Sequence, residues 1–220
     1  TVPEYADTVL TIDGNGYKYN GCFRIIGKST YADATTVFSN INFETADASG
    51  FVDNAFIYCR EQTGNTNTRY PDNVTIQDCT FTATGAAVEA AVGAKFWSLK
   101  GNVIVENSSA EGMHSLLQLS SCGEANVTVN GVEIANCKNG LSLQYSNNVI
   151  KNTNISTREY GVRVDGAVAT TSFENTEITA NLPVVVRKMK ANSNIALDFV
   201  ATTLNAPGYQ VVLTTGNDDK

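Results

Sequence analysis

VTIQDCTF (Val74–Phe81) and VTVNGVEI (Val127–Ile134) are two copies of one short grammar. Positions one and three are apolar, position five is a turn former, and position eight is apolar again. Apolar residues at alternate positions are the pattern of a strand with one face buried. Gly, Asn and Asp at a fixed place tolerate the left-handed backbone of a tight corner.

The same eight-residue frame recurs as LTIDGNGY from Leu10, TVFSNINF from Thr36, VIVENSSA from Val103, NVIKNTNI from Asn148 and TSFENTEI from Thr171, with IALDFVAT from Ile195 as the poorest member. Successive starts lie 26, 38, 29, 24, 21, 23 and 24 residues apart. A near-constant period with two longer units predicts a solenoid, because one coil cannot bury its own apolar face and neighbours must stack on it. Position five forms a column of Gly14, Asn40, Asp78, Asn107, Gly131, Asn152 and Asn175, which reads as one repeated corner. About 14 residues into a unit a second apolar strand begins, at Leu116, Leu141, Val162, Val184 and Val211. The expected fold is all-β, a right-handed parallel β-helix of about eight coils, with residues 1–220 as a single domain. No helix-period segment competes; GAAVEAAVG (Gly85–Gly93) reads as a short helical turn or a loop.

The frame apolar-x-apolar-x-Asn-x-x-Ile, followed by Gly-Val-x-Val at Gly161–Val164, resembles the right-handed parallel β-helices of the pectate-lyase-like superfamily. The opening LTIDGNGY is similar to a first coil of bacterial and phage proteins of that kind. The resemblance covers nearly the whole chain and implies a fold, while many activities share that fold.

Composition narrows the function. The net charge is −7 with scattered Lys and Arg, which argues against a nucleic-acid partner, since phosphates need a clustered basic surface. No apolar run reaches the roughly 20 residues that span a bilayer as a helix. Five cysteines without CxxC spacing read as free thiols, with Cys59–Cys79 or Cys122–Cys137 as the alternative pairings. Abundant Asn, Thr, Ser and Gly with sparse Lys point to an extracellular or surface setting. Asn-x-Ser/Thr triplets stand at Asn73, Asn107, Asn126 and Asn154. The chain opens at Thr1 without an initiator Met, and its ends carry no obvious cap; both suggest part of a longer chain.

The motifs of the fold's enzymes do not stand out. Glycosidases of this superfamily pair an Asp-Asp with Gly-His-Gly and Arg-x-Lys, because one carboxyl group protonates the leaving oxygen while another activates water. Here the one Asp-Asp is Asp218–Asp219, and Gly-His-Gly does not occur. A lyase calcium site needs six to eight converging oxygens, yet the outward positions of the second strand read Gln118, Ser142, Gln144, Arg163, Asp165 and Arg187. His114, the single histidine, lacks the spacing of a triad. No catalytic residue, metal or cofactor is therefore expected.

Glycan binding asks for less: planar polar side chains and a flat aromatic. Gln118, Gln144, Tyr145, Arg163, Asp165 and Arg187 have that make-up and are the candidate ligand residues. Insertions near 59–73 and 82–95, the first carrying Arg69 and Tyr70, offer loops on a rigid scaffold where binding often resides. Trp97 reads as a core or loop anchor. These features favour a non-catalytic extracellular module, adhesin-like or virion-associated, contacting glycans or a protein partner and trimeric if fibre-like. A polysaccharide lyase or glycosidase with a divergent site is the alternative.

Overall fold

The structure, a computed structural model, describes residues 9–27, 34–61, 73–120, 122, 125–166, 168–188 and 194–215. The chain is a parallel β-solenoid built of three sheets, each of eight strands, climbing about seven turns. The first sheet contains Val9–Asp13, Thr35–Ser39, Asn73–Gln77, Asn102–Glu106, Ala125–Asn130, Ser146–Lys151, Val168–Glu174 and Asn194–Val200. The second holds the short strands that follow each corner, from Lys18–Tyr19 to Thr203–Asn205. The third contains Phe23–Gly27, Ala55–Glu61, Val92–Trp97, Ser115–Ser120, Leu141–Gln144, Tyr160–Gly166, Leu182–Lys188 and Val211–Thr215. The only helices among the described residues are single 3-10 turns at Val52–Asn54 and Gly85–Ala87. No described helix is long and apolar enough to cross a membrane.

Position-one and position-three side chains point inward and stack coil on coil. Position eight makes a second interior column: Phe43, Phe81, Ala110, Ile134, Ile155, Ile178 and Leu204 are in register, and in the first coil Tyr19, two residues past position eight, joins them while Tyr17 is exposed. Phe43 and Phe81 stack at 4.7 Å and 5°, a parallel arrangement that the strand spacing itself imposes. Burial of this interior drives folding at roughly 25 cal/mol per Å² of apolar surface.

From the second coil on, the corner column behaves as its residues dictate; in the first coil the left-handed residues are Asn15 (φ 47°) and Gly16 (φ 74°), just past Gly14. Asn40, Asp78, Asn107, Asn152 and Asn175 have φ between 46° and 53°, and Gly131 has φ 65°. Each corner N–H donates to the position-four carbonyl of the next coil, at 2.9 to 3.2 Å, so the hydrogen-bond ladder runs unbroken around the bend. Asn175 Nδ2 donates to Asn152 Oδ1 and Asn152 Nδ2 to Asn130 Oδ1, both at 2.9 Å. The following residue turns inward, where its position-four carbonyl would otherwise lack a local donor. Cys79, Ser108, Thr153 and Thr176 supply that donor, at 3.2, 2.7, 2.8 and 3.0 Å. Cys79 thus fills a hydroxyl's place, and burial pushes its thiol up to about 11. None of the five cysteines is in a disulfide, and four of them are buried.

Three sequence expectations need correction. There are three strands per coil, because the short run after the corner pairs as a sheet of its own. The last unit starts at Leu197, since Leu197 and Phe199 stand opposite Thr171 and Phe173 and the two phenyl rings stack at 4.9 Å. Ile195, Leu197 and Phe199 alternate, so sequence periodicity does not distinguish registers two residues apart, and the corner there is Ala201 (φ 47°) without an Asn or Gly signal. The segment 82–95 is not one loop: residues 92–95 belong to the strand Val92–Trp97. Of the segment 59–73, residues 62–72, Arg69 and Tyr70 among them, lie outside the described residues.

Candidate functional site

The outer face of the third sheet carries a groove of about 760 Å³. It crosses six strands, from Val92–Trp97 to Val211–Thr215, or about 24 Å at the usual strand spacing. One register column forms its floor: Lys95, Gln118, Ser142, Arg163, Val185 and Val212. The first four are polar and the last two apolar, so the groove changes character along its length. The turns entering these strands make one wall, with His114, Lys138, Asn139 and Glu159.

Arg163 is the most constrained group on the floor. Its Nη2 donates to Ser142 Oγ at 3.1 Å, its Nε lies 3.2 Å from Asp165 Oδ2, and its guanidinium sits 5.3 Å from the Tyr160 ring centroid. Asp165 lies two residues further along the strand, in a column with Gln144 and Arg187. Arg187 Nη2 donates to the same Asp165 oxygen at 2.6 Å. Asp165 is 1% exposed, so it acts beneath the surface, fixing two guanidinium groups. Its Oδ1 is buried without a hydrogen-bond partner.

At the other end, Trp97 carries two cations over its ring, Lys95 Nζ at 5.7 Å and Arg60 Cζ at 5.9 Å. Lys95 Nζ also lies 3.5 Å from Asp53 Oδ2. On the wall, Lys138 pairs with Glu159 at 3.5 Å, and Arg158 pairs with Glu89. His114 Nδ1 donates to the Glu89 carbonyl at 3.2 Å, which leaves Nε2 to accept from Asn139 Nδ2 at 3.5 Å. Burial pulls the His114 pKa below its ordinary value, holding the ring neutral at pH 7. Among the described residues, no three His, Cys, Asp or Glu side chains converge as a metal site.

Of the six residues singled out in the sequence, Gln118 and Arg163 line the groove. Asp165 and Arg187 join Arg163 in one ion-paired cluster, and Gln144 extends their column. Tyr145 stands apart: it occupies a left-handed corner (φ 59°), donates its N–H to the Asp165 carbonyl at 2.8 Å and lies against Gly166. Lys95, Trp97, Lys138 and Tyr160 were missed. Trp97 lines the groove and at the same time packs against the small buried cluster of Ala55, Tyr58 and Val92. The signal was present in AKFW (Ala94–Trp97), where buried Ala94 and Phe96 alternate with half-buried Lys95 and Trp97.

Comparison of the chain with family models, with curated proteins and with solved structures gave no match.

Proposed function

We propose that this protein is a non-catalytic, extracellular β-solenoid module that holds acidic glycan chains in the groove of the third sheet. The observation that carries the reading is the inverted charge of the groove. On a chain of net charge −7, its lining has three cations, Lys95, Lys138 and Arg163, against one carboxylate, Glu159; with the adjoining Arg187 and the paired Asp53 and Asp165 counted, four cations stand against three carboxylates, an excess of one. A cleft lined by one sign of charge concentrates oppositely charged ligands. Trp97 and Tyr160 supply flat faces for sugar rings, while Gln118, Ser142 and Asn139 supply hydroxyl partners. Arg163 is held in place before any ligand arrives, so little side-chain entropy is lost on binding. A surface role, adhesin-like or virion-associated, accords with the Asn- and Thr-rich, Lys-poor composition.

A divergent polysaccharide lyase or glycosidase is the second reading. It is favoured by one observation: His114 and Glu159 share the groove wall, and a neutral imidazole can take a proton.

The binding reading is tested by calorimetric titration with hexagalacturonate. Affinity is expected to fall with rising salt and to weaken at least about tenfold, or 1.4 kcal/mol, in both Arg163→Ala and Trp97→Ala. Absence of binding, or binding indifferent to both substitutions, overturns it.

A further inference from the structure

The first sheet presents an outer surface of different chemistry. Two of its three outward columns run from the second coil to the seventh: Thr35, Asn73, Asn102, Asn126, Asn147 and Thr170 in one, Val37, Thr75, Ile104, Thr128, Val149 and Ser172 in the other, while the third holds Glu106, Lys151 and Glu174. None of the twelve side chains in the first two columns is charged, although the protein has 37 charged residues. From the fifth coil to the eighth the surface dips into a trough of about 320 Å³, whose lining includes Asn126, Thr128, Asn147, Val149 and Ser172 and, in the eighth coil, the carboxylate of Asp198. That volume is at the lower end of ligand sites.

Hydrogen-bonding capacity is left over here. Asn147 Oδ1 accepts from both the N–H and the hydroxyl of Thr170, at 3.3 and 3.0 Å, which fixes the amide with Nδ2 available as a donor. Ser172 donates to the Asn148 carbonyl at 3.5 Å and keeps its lone pairs. Val149, 40% exposed, places methyl groups between them. β-Branched side chains such as Thr and Val are stiff at χ1, so donors, acceptors and methyls repeat along the axis at about 4.8 Å with little freedom to lose.

We propose that this trough is a second glycan site, specific for a neutral chain lying along the solenoid axis. The one charge in the trough's lining is the Asp198 carboxylate, so carboxylate or sulfate groups on a ligand meet no counter-charge there and are left desolvated. A neutral chain of hydroxyls and ring C–H groups matches amide, hydroxyl and methyl at the same repeat. The protein then grips acidic and neutral chains on two different faces, extending the role proposed for the groove.

The experiment is calorimetric titration of the whole chain with cellohexaose, xylohexaose and mannohexaose, and with hexagalacturonate in parallel. Four proteins are compared: the unaltered chain, Val149→Glu, Asn147→Asp and Arg163→Ala. Asn147→Asp preserves both acceptor bonds to Thr170, so it retains the fold should Val149→Glu not. At least one neutral hexaose is expected to bind the unaltered protein and to weaken at least about tenfold in Val149→Glu and Asn147→Asp, while Arg163→Ala leaves its affinity unchanged. Hexagalacturonate responds in the opposite sense, so failure of this site and failure of the groove are read separately. No neutral binding, neutral binding that survives both trough substitutions, or neutral binding lost in Arg163→Ala overturns the proposal.

Discussion

Asp165→Ala isolates the cluster on which the groove depends. The carboxylate is 1% exposed and bonds Arg187 at 2.6 Å, with Arg163 at 3.2 Å. Removing it leaves two mostly buried guanidinium groups, whose side chains are 20% and 12% exposed, facing each other without a counter-charge. Breaking a buried pair by deleting one partner costs about 3–5 kcal/mol, most of it the penalty of the stranded charge. With a urea m-value of about 3 kcal/mol/M, that moves the unfolding midpoint down by roughly 1–1.7 M. The double substitution Asp165→Leu with Arg187→Met removes both buried charges of the tighter bond and is expected to recover much of the loss. Equilibrium urea unfolding, followed by fluorescence of the single tryptophan, Trp97, and by circular dichroism, reads both changes. A loss below about 1 kcal/mol for Asp165→Ala would refute the reasoning, since that is the range of a surface pair.

Further predictions concern the corners, the thiols and the histidine. At φ 51°, Asn152→Ala forces a left-handed alanine, costing about 1–2 kcal/mol, whereas Asn152→Gly loses only the ladder bonds; equal thermal shifts for the two would contradict the backbone argument. In native protein at pH 8, alkylation followed by mass spectrometry is expected to modify half-buried Cys22 alone, because Cys79 and Cys137 are buried with thiols pushed up to about 11. For His114, the folded pKa lies below its unfolded value, so the unfolded chain takes up the proton first. Stability therefore declines as pH drops below about 6.5 and levels off beneath the folded pKa. His114→Gln flattens that part of the profile, and an unchanged slope would show that another group is responsible.

The repeat was legible because position five combines a backbone demand with a residue preference. Asn40, Asn107, Asn152 and Asn175 mark the corner in sequence and adopt left-handed φ in the fold. Where the corner residue is Ala201, the register slipped by two in the reading, since alternation alone carries no phase beyond the face. The second sheet was hidden for another reason: strands of two to five residues show one or two inward apolar side chains, too few for a period. At the site, Arg163 and Gln118 were visible as outward positions of recognised strands. Lys95 and Trp97 lay in a strand mistaken for a loop, because Gly85–Gly93 obscured where it began. Tyr160, Lys138 and His114 sit in or beside turns, and only the stacking of coils brings such turns into one wall. Asp165 looked like a surface contact in sequence, yet the two arginines that cover it come from its own strand and the next coil.

The claim that the groove holds a chain without cutting it is tested by incubating hexagalacturonate with the protein at saturating concentration, then recovering the sugar for mass analysis and ultraviolet detection of unsaturated ends. The account predicts a bound hexamer recovered whole, with and without added calcium. Shortened or unsaturated products that disappear in His114→Gln or Glu159→Gln would contradict it and make the groove an active site.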